Sequence, residues 1–416
     1  MVSFAEGQMG ANDAATTSPI SPLYLSLPPS SIIGSIEGVV SALFEENDDT
    51  RNIIIDMREC LFIEVSSLIY LVSFITARER EGLRTTIALP KSKKVRDFLR
   101  VWKFPEAIRG ASGKLFYNMV LEEDRHYFGE NANYEDLKYA GTTLMSGLDR
   151  LVSERFFSIT HCPIHQNKSS IAAVKNESSR WEQRLIMSVL ENHLSGPKGY
   201  ISSRVIYESM TNAVRHPNAS FIQTASHLGA TGASSGQGGG FLTIVFWDDG
   251  DSIVDTLRKV LSEGREIRSG NIPLVQNKFW VKLSDGGREE ARIVTSDFLP
   301  DKDTSDDIIL LSSIFPGITR DPSGREHVVH EDLASEMELN RPGMGLFILV
   351  NSVVDVFGGS VSFRSHYHFL NIKKPKDLTA KKEGASYQVK IVKAVPSLPK
   401  FLGNMITVRI PLEAKI

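Results

Sequence analysis

Between Leu23 and Pro105 the sequence alternates short apolar runs with longer amphipathic ones. The apolar runs predict strands at 23–27, 52–57 and 84–89, and the amphipathic runs predict helices at 31–44, 66–80 and 93–102. Strands that alternate with helices pair in parallel through crossover helices. We therefore predict a compact α/β domain over residues 21–110.

The length of the chain indicates a second domain. With 416 residues it exceeds the size at which one hydrophobic core usually stops growing. Residues 1–20 are rich in Ala, Gly, Ser and Thr and predict a disordered leader. Residues 111–175 contain helical stretches around the strand-like run RFFSIT and predict a helical connector. The second domain is then expected over 176–416.

Composition argues against several classes of protein. The 47 basic and 50 acidic residues give a net charge of -3, so no overall field attracts nucleic acid or an anionic membrane. The first residues do not resemble a signal peptide, and no run reaches the roughly 20 apolar residues of a membrane helix. Two cysteines are too few for a disulfide framework, although the sequence allows a single disulfide between them. We expect a cytoplasmic protein without a membrane or nucleic-acid partner.

A serine-containing stretch follows the second predicted strand. Asp56 ends that strand, and FIEVSS at 62–67 precedes the next predicted helix. This arrangement resembles the STAS domain of anti-sigma factor antagonists, with Glu64, Val65 and Ser67 departing from the family pattern. The resemblance implies that Ser66 is phosphorylated. The alternative is that Ser66 caps the following helix, as serine often does.

Two polar residues share one face of a predicted helix in IYESMTNAVRHPNAS. Glu208 and Asn212 lie four residues apart, and Pro217 ends the helix. A carboxylate that can activate water beside an amide oxygen that can bind Mg²⁺ suits phosphoryl transfer. The alternative is an exposed polar face.

An acidic turn follows a strongly apolar strand in FLTIVFWDDGDSI. The strand ends at Asp248 and Asp249, and Gly250 comes next. The alternative is an ordinary acidic turn.

Glycines precede an apolar helix in NRPGMGLFILVNSVVDVFGG. Gly343 and Gly345 stand before Leu346, and Gly358 with Gly359 end the predicted helix. Backbone N–H groups at such a helix start can bind phosphate oxygens, and the helix dipole favours the negative charge. The alternative is a flexible turn into a buried helix.

These three segments, in this order, resemble the GHKL family of ATP-binding domains found in histidine kinases, type II topoisomerases and anti-sigma kinases. The resemblance implies a Bergerat-type α/β sandwich, a mixed sheet with helices on one face, and strand-like runs at 360–364, 387–395 and 405–412 fit it. It implies a lid over 254–340, whose own strand-like run and helix-like run predict an inserted subdomain. It also implies ATP and Mg²⁺ as ligands, with these residues: Glu208 as general base, Asn212 on the metal, Asp248 and Gly250 on adenine, and Gly343, Gly345 and Leu346 on phosphate.

Three functions are compatible with this pattern. The leading one is an Mg²⁺-dependent ATP-binding regulator that acts as an ATPase or as a serine kinase of the anti-sigma type, with a protein partner or substrate. A homodimer stays open. The alternative is a non-catalytic ATP-dependent switch, because Ser252 replaces the family's second glycine. A histidine kinase is disfavoured, since His161, His165 and His193 do not lie on a paired-helix hairpin.

Overall fold

The computed structural model describes residues 21–46, 51–127, 156–164, 209–210, 212, 218–230, 240–268, 276–285, 288–320, 343–393 and 399–412. The strands in these ranges are β1 Leu23–Ser26, β2 Ser30–Ser31, β3 Ile53–Asp56, β4 Phe62–Ile63, β5 Thr85–Ala88, β6 Phe156–Pro163, β7 Phe221–Ala230, β8 Gly240–Asp248, β9 Lys278–Asp285, β10 Arg288–Thr295, β11 Ser360–His366, β12 His368–Lys373, β13 Tyr387–Lys393 and β14 Phe401–Leu412. The α-helices are α1 Ile33–Glu46, α2 Val65–Arg80, α3 Lys93–Val101, α4 Phe104–Ser112, α5 Phe116–Met119, α6 Ile253–Ser262, α7 Asp306–Ser312, α8 Gly345–Val350 and α9 Leu378–Lys382.

The amino-terminal strands form a parallel sheet in the order β1-β3-β5. Leu25, Ile55 and Ile87 lie side by side at its centre and are almost completely buried. Helices α1 and α2 make the crossovers between these parallel strands. The predicted alternation of strands and helices is therefore confirmed, because each element is specified by its own local apolar pattern.

The second sheet has nine strands in the order β10-β9-β13-β12-β11-β14-β8-β7-β6. It is mixed, since β9 and β13 run parallel while the other neighbours are antiparallel. The strand-like run RFFSIT of the predicted connector forms β6, at one edge of this sheet. The chain is thus a mixed α/β protein.

Strands β9 and β10 belong to the segment predicted as a lid with an inserted subdomain. The prediction of an inserted subdomain is wrong for the described part of 254–340, because β9 pairs with β13 and extends the nine-stranded sheet. Phe279 of β9 is buried and stacks on Tyr387 of β13, with 5.1 Å between ring centroids. Burial of these aromatic rings favours adding the strands to the existing sheet over forming a separate core.

The nine-stranded sheet has two buried faces. On the first face Leu242, Ile244 and Phe246 of β8 pack with α6, α7 and α8. On the second face Val245 and Trp247 of the same strand pack with α2 and α4. The carboxy-terminal helices lie on the first face, as predicted, whereas α2 and α4 of the amino-terminal region cover the second face. A continuous apolar strand such as FLTIVFW needs cover on both faces.

Hydrogen bonds join α2 and α4 to this second face. The indole N–H of Trp247 donates to the carbonyl of Leu402 at 2.8 Å, and the Ser73 hydroxyl of α2 donates to the same carbonyl at 3.3 Å. Gln223 Nε2 of β7 donates to the carbonyl of Ala107 in α4 at 2.7 Å. The two sheets are therefore held in one packed structure through α2 and α4.

None of the helices seen in the structure is long and apolar enough to cross a membrane. The two cysteines are free thiols: Cys60 is buried in the amino-terminal core, and Cys162 is partly buried on β6. The single disulfide that the sequence left open is thus not formed.

The buried imidazole of His368 should make the protein less stable to unfolding at acid pH. It is 3% exposed, and burial lowers the pKa of its imidazole below the ordinary 6.5, although Asp307 and Asp306 act in the opposite direction. A lowered folded-state pKa stabilises the protein above 6.5, and that contribution is lost as the pH falls through the folded pKa. We expect the melting temperature of His368→Gln to fall less between pH 7.5 and 5.5 than that of the unaltered protein. The control is exposed His126→Gln, and equal slopes for all three would contradict the prediction.

Candidate functional site

The Asp248 carboxylate lies at the end of β8 and is 5% exposed. Its Oδ1 accepts a hydrogen bond from the backbone N–H of Gly250 at 3.1 Å and another from Asn404 Nδ2 at 3.2 Å. Two hydrogen bonds therefore fix the aspartate–glycine turn, residues 248–250. One comes from the backbone of the turn itself, and the other comes from Asn404 of β14.

Asn404 connects this turn to two other elements. Its Oδ1 accepts from the Ser365 hydroxyl of β11 at 2.7 Å and from the N–H of Ile253 in α6 at 2.8 Å. Its Nδ2 also donates to the carbonyl of Asp251 at 3.0 Å. Sequence reasoning missed Asn404 and Ser365. The available signal was Gly403-Asn404, which interrupts an otherwise apolar strand, since glycine inside a strand often marks close backbone approach.

Asp249 has a structural role. Its carboxylate accepts from the backbone N–H groups of Ser220 at 2.8 Å and Phe221 at 3.1 Å, and from the Ser220 hydroxyl. It also forms an ion pair with Arg80, the last residue of α2. The amino-terminal region thus contacts the aspartate–glycine turn directly.

Ser252, which follows the aspartate–glycine turn by two residues, has a local structural role. Ser252 is the N-cap of α6, and its hydroxyl accepts from the N–H of Asp255 at 3.0 Å. The same hydroxyl donates to Asp255 Oδ2 at 2.6 Å. The serine oxygen therefore accepts a hydrogen bond from a backbone N–H that has no partner within the helix.

The helix predicted to carry Glu208 and Asn212 is seen at Ser209, Met210 and Asn212, whereas Glu208 lies outside the described residues. Met210 is fully buried in the first-face core. The Asn212 side-chain Nδ2 is buried and has no hydrogen-bond partner in the described part of the chain. Farther along, Asn218 Nδ2 donates to both carboxylate oxygens of Asp251, at 3.2 and 3.1 Å. The first two sequence segments are therefore joined in space.

Gly343 has a φ of +78°, which glycine adopts without strain. A Cβ at this position would lie 2.6 Å from the carbonyl carbon of Gly317, and Gly317 donates its N–H to Gly343 at 3.2 Å. Gly345 begins α8, and partly buried Leu346 packs against the first-face core. The helix continues as a π-helical turn, Asn351–Val356, before Gly358. The glycines predicted at the start and end of this helix lie where expected.

The three sequence segments share one hydrophobic core. Met210 precedes Asn212, Ile253 follows the aspartate–glycine turn, and Leu349 lies in α8, and all three belong to the first-face cluster. Membership in this large cluster does not place two residues in contact, so the grouping of Asn212, Asp248 and Gly250 with Gly343, Gly345 and Leu346 stays a prediction that is compatible with the common core. It can position polar groups at the edge of an apolar layer, as a ligand site requires.

Ser66 lies in the first turn of α2 and is 3% exposed. The N-cap of this helix is Glu64, which makes no side-chain capping bond. The alternative that Ser66 caps the helix is therefore wrong, because the helix begins one residue earlier, at Val65. In this conformation the Ser66 hydroxyl is largely shielded from solvent.

No cluster of three or more His, Cys, Asp or Glu side chains that could hold a metal occurs within the ranges that the structure covers. No protein-family model, curated protein or solved structure matches this chain. Functional inference therefore depends on the residues themselves.

Proposed function

We propose that the chain binds Mg²⁺-ATP at the edge of the first-face core and acts as a regulatory ATPase or protein serine kinase. The proposal assigns the nine-stranded sheet to a Bergerat-type domain and the amino-terminal sheet to a STAS-like domain. The observation that carries it is the buried Asp248 carboxylate beside Gly250, held by Asn404. A fixed carboxylate next to a glycine suits an acceptor for the exocyclic amine of adenine, because it is ordered before the ligand arrives.

The residues also fit a magnesium ion. The Asn212 amide has a buried Nδ2 without a partner among the described residues, and its Oδ1 is the atom that would bind the ion. Mg²⁺ at nucleotide sites usually takes few protein ligands and completes its shell with phosphate oxygens and water. One amide oxygen without a carboxylate cluster is compatible with that chemistry. When bound, the ion would neutralise charge on the phosphates.

The remaining roles follow from position. Gly343 and Gly345 bring backbone N–H groups to the start of α8, where phosphate oxygens could approach, and Leu346 anchors this helix against the core. Glu208, one helical turn before Asn212, would accept the proton of an attacking water or serine hydroxyl. The phosphoryl acceptor would be water or a partner protein.

A non-catalytic switch is the second candidate, and one contact favours it. Arg80 of α2 pairs with Asp249, the residue between Asp248 and Gly250. Nucleotide binding at this turn would therefore bias the position of the amino-terminal region without any need for hydrolysis.

The test measures Mg²⁺-dependent ATP binding by calorimetry and phosphate release by a coupled assay. We expect Asn212→Ala to weaken binding in the presence of Mg²⁺ by about tenfold or more, the loss of one interaction with a charged group. Glu208→Ala should keep binding and lose turnover. The matched control is Asn118→Ala, an exposed asparagine on α5.

The outcomes separate the candidates. If the unaltered protein binds ATP but releases no phosphate and labels no protein, the switch replaces the enzyme. Failure of the unaltered protein to bind ATP would reject both. Equal binding by Asn212→Ala and Asn118→Ala would reject the magnesium role of Asn212.

A further inference from the structure

A cavity of about 560 Å³ lies between α1 and the second face of the nine-stranded sheet, next to the start of α2. We call it the α1 cavity. Its volume is within the usual range of small-molecule sites, about 300 to 1,000 Å³. It is on the opposite face of the sheet from α6 and α8, so it is separate from the proposed ATP site.

The floor of the α1 cavity is unusually polar for the face of a sheet. The second face is apolar where α2 and α4 cover it, for example at Val245 and Trp247. Beyond that cover, β8, β11, β12 and β14 contribute hydroxyl and amide side chains to the cavity: Thr243, Ser360, Ser362, Asn371 and Thr407. Such a surface offers hydrogen bonds to a ligand that carries several hydroxyl groups.

The wall formed by α1 contains two glycines at helical spacing. Gly34 and Gly38 lie four residues apart, line the cavity, and are inside α1. A Cβ built on either would meet no atom within 4 Å, so the protein itself does not require glycine at these positions. Glycine destabilises a helix relative to alanine. A ligand that approaches the α1 backbone would explain why this face lacks side chains.

Arg364 supplies a buried positive charge. It is 6% exposed, lines the cavity, and lies over the rings of Phe369 at 5.0 Å and Tyr70 at 5.5 Å. One terminal nitrogen pairs with Glu37 of α1. Its Nε is buried and has no hydrogen-bond partner in the described ranges. A buried guanidinium donor without an acceptor is unfavourable, and the side chain nevertheless keeps its positive charge at the wall of the cavity.

The charges around the cavity favour an anion. The charged residues that line it are three cations, Arg364, Lys393 and Arg409, and two carboxylates, Glu37 and Glu64. Glu37 is already paired with Arg364. The amino-terminal ends of α1 and α2 also reach the cavity, at Gly34 and Ser66. Helix amino termini add partial positive charge.

We propose that the α1 cavity binds a small polyhydroxylated organic anion of the sugar-phosphate class. The anionic group would lie near Arg364 and Arg409, and the hydroxyl groups would contact the polar floor. The sugar ring would lie against the glycine face of α1.

The test uses the full-length protein with glucose 6-phosphate, ribose 5-phosphate, inorganic phosphate and glucose as probes, and measures binding by calorimetry. We expect at least one sugar phosphate to bind more tightly than inorganic phosphate, and glucose not to bind detectably. Arg409→Ala should weaken sugar-phosphate binding at least tenfold, because Arg409 is exposed on the sheet and its removal should leave the fold intact. The matched control is Lys390→Ala, an exposed cation on β13 that does not line the cavity.

A second pair of variants tests the glycine face. Gly38→Ala should raise the melting temperature, since alanine favours the helix, and Gly38→Leu should prevent sugar-phosphate binding by filling the cavity. ATP binding, measured in parallel, should not change in any of these variants. The proposal is overturned if neither sugar phosphate binds, if both bind no better than inorganic phosphate, or if Arg409→Ala and Gly38→Leu bind as the unaltered protein does.

Discussion

Replacing Gly403 with alanine is expected to lower the free energy of unfolding by about 3 kcal/mol or more. Gly403 has a φ of +74°, and a Cβ there would lie 2.7 Å from the carbonyl carbon of Asp248 and closer still to its oxygen. Both atoms belong to paired backbone, so neither can move without breaking the sheet between β8 and β14. Denaturant unfolding measures the loss.

Gly384 provides the matched control for this substitution. Its φ of +65° is as unusual as that of Gly403, yet a Cβ there would meet no atom within 4 Å. Gly384→Ala should therefore lose only the conformational term, about 1 to 2 kcal/mol. Equal losses at the two positions would show that the close approach of β14 to Asp248 has no energetic weight. The Gly403 variant should also weaken ATP binding, because Asn404 would shift with it.

Asp249→Ala is expected to destabilise the protein by about 2 to 4 kcal/mol, because two backbone N–H donors lose their acceptor. The variant loses the acceptor for the N–H groups of Ser220 and Phe221, and leaves Arg80 without its ion pair. The Arg80 side chain is 42% exposed and can be hydrated, so the lost backbone acceptor dominates. Thermal and denaturant unfolding measure the change.

Asp251→Ala is the control, since Asp251 is an exposed aspartate two residues farther along, bonded to Asn218. It should lose well under 1 kcal/mol, as exposed polar contacts do. A double-mutant cycle between Arg80→Met and Asp249→Asn should then give a coupling above about 1 kcal/mol. A small loss for Asp249→Ala, or zero coupling in the cycle, would mean that α2 does not support the turn.

Local patterns were sufficient to predict most elements. The helices predicted at 66–80 and 93–102 are α2 and α3. The strand-like runs at 360–364 and 405–412 lie in β11 and β14, and the described part of the run at 387–395 is β13. Strand β12 was missed. Its buried positions do alternate, but His368 occupies one of them, and a histidine conceals the apolar pattern that marks a strand.

Long-range pairing could not be predicted in the same way. Strands β9 and β13 are neighbours although about a hundred residues separate them, and neither sequence specifies its partner. The cover provided by α2 and α4 was also missed, although the uninterrupted apolar run of β8 was a signal for two buried faces. Hydrophobic periodicity and secondary-structure propensity describe a single helix or strand. Strand pairing and the cover by α2 and α4 depend instead on how several elements pack together.

The candidate site shows the same division. Asp248, Gly250 and Gly343 were found because acidic and glycine residues stand out between apolar runs. Asn404 and Ser365 were not found, because polar residues inside strands acquire a role only when β14 and β11 lie beside the end of β8. The contact between Arg80 and Asp249 joins residues 169 positions apart and has no sequence signature.

Helix α2 connects the two ligand sites proposed above. Its first turn lines the α1 cavity at Ser66, and its last residue, Arg80, is bonded to Asp249 of the aspartate–glycine turn. Sixteen residues make a rod about 24 Å long. A ligand that binds the cavity better in one position of this rod would change the affinity for ATP by some factor. Thermodynamic linkage then requires ATP to change the affinity for that ligand by the same factor, so either molecule could serve as the signal and the other as the response.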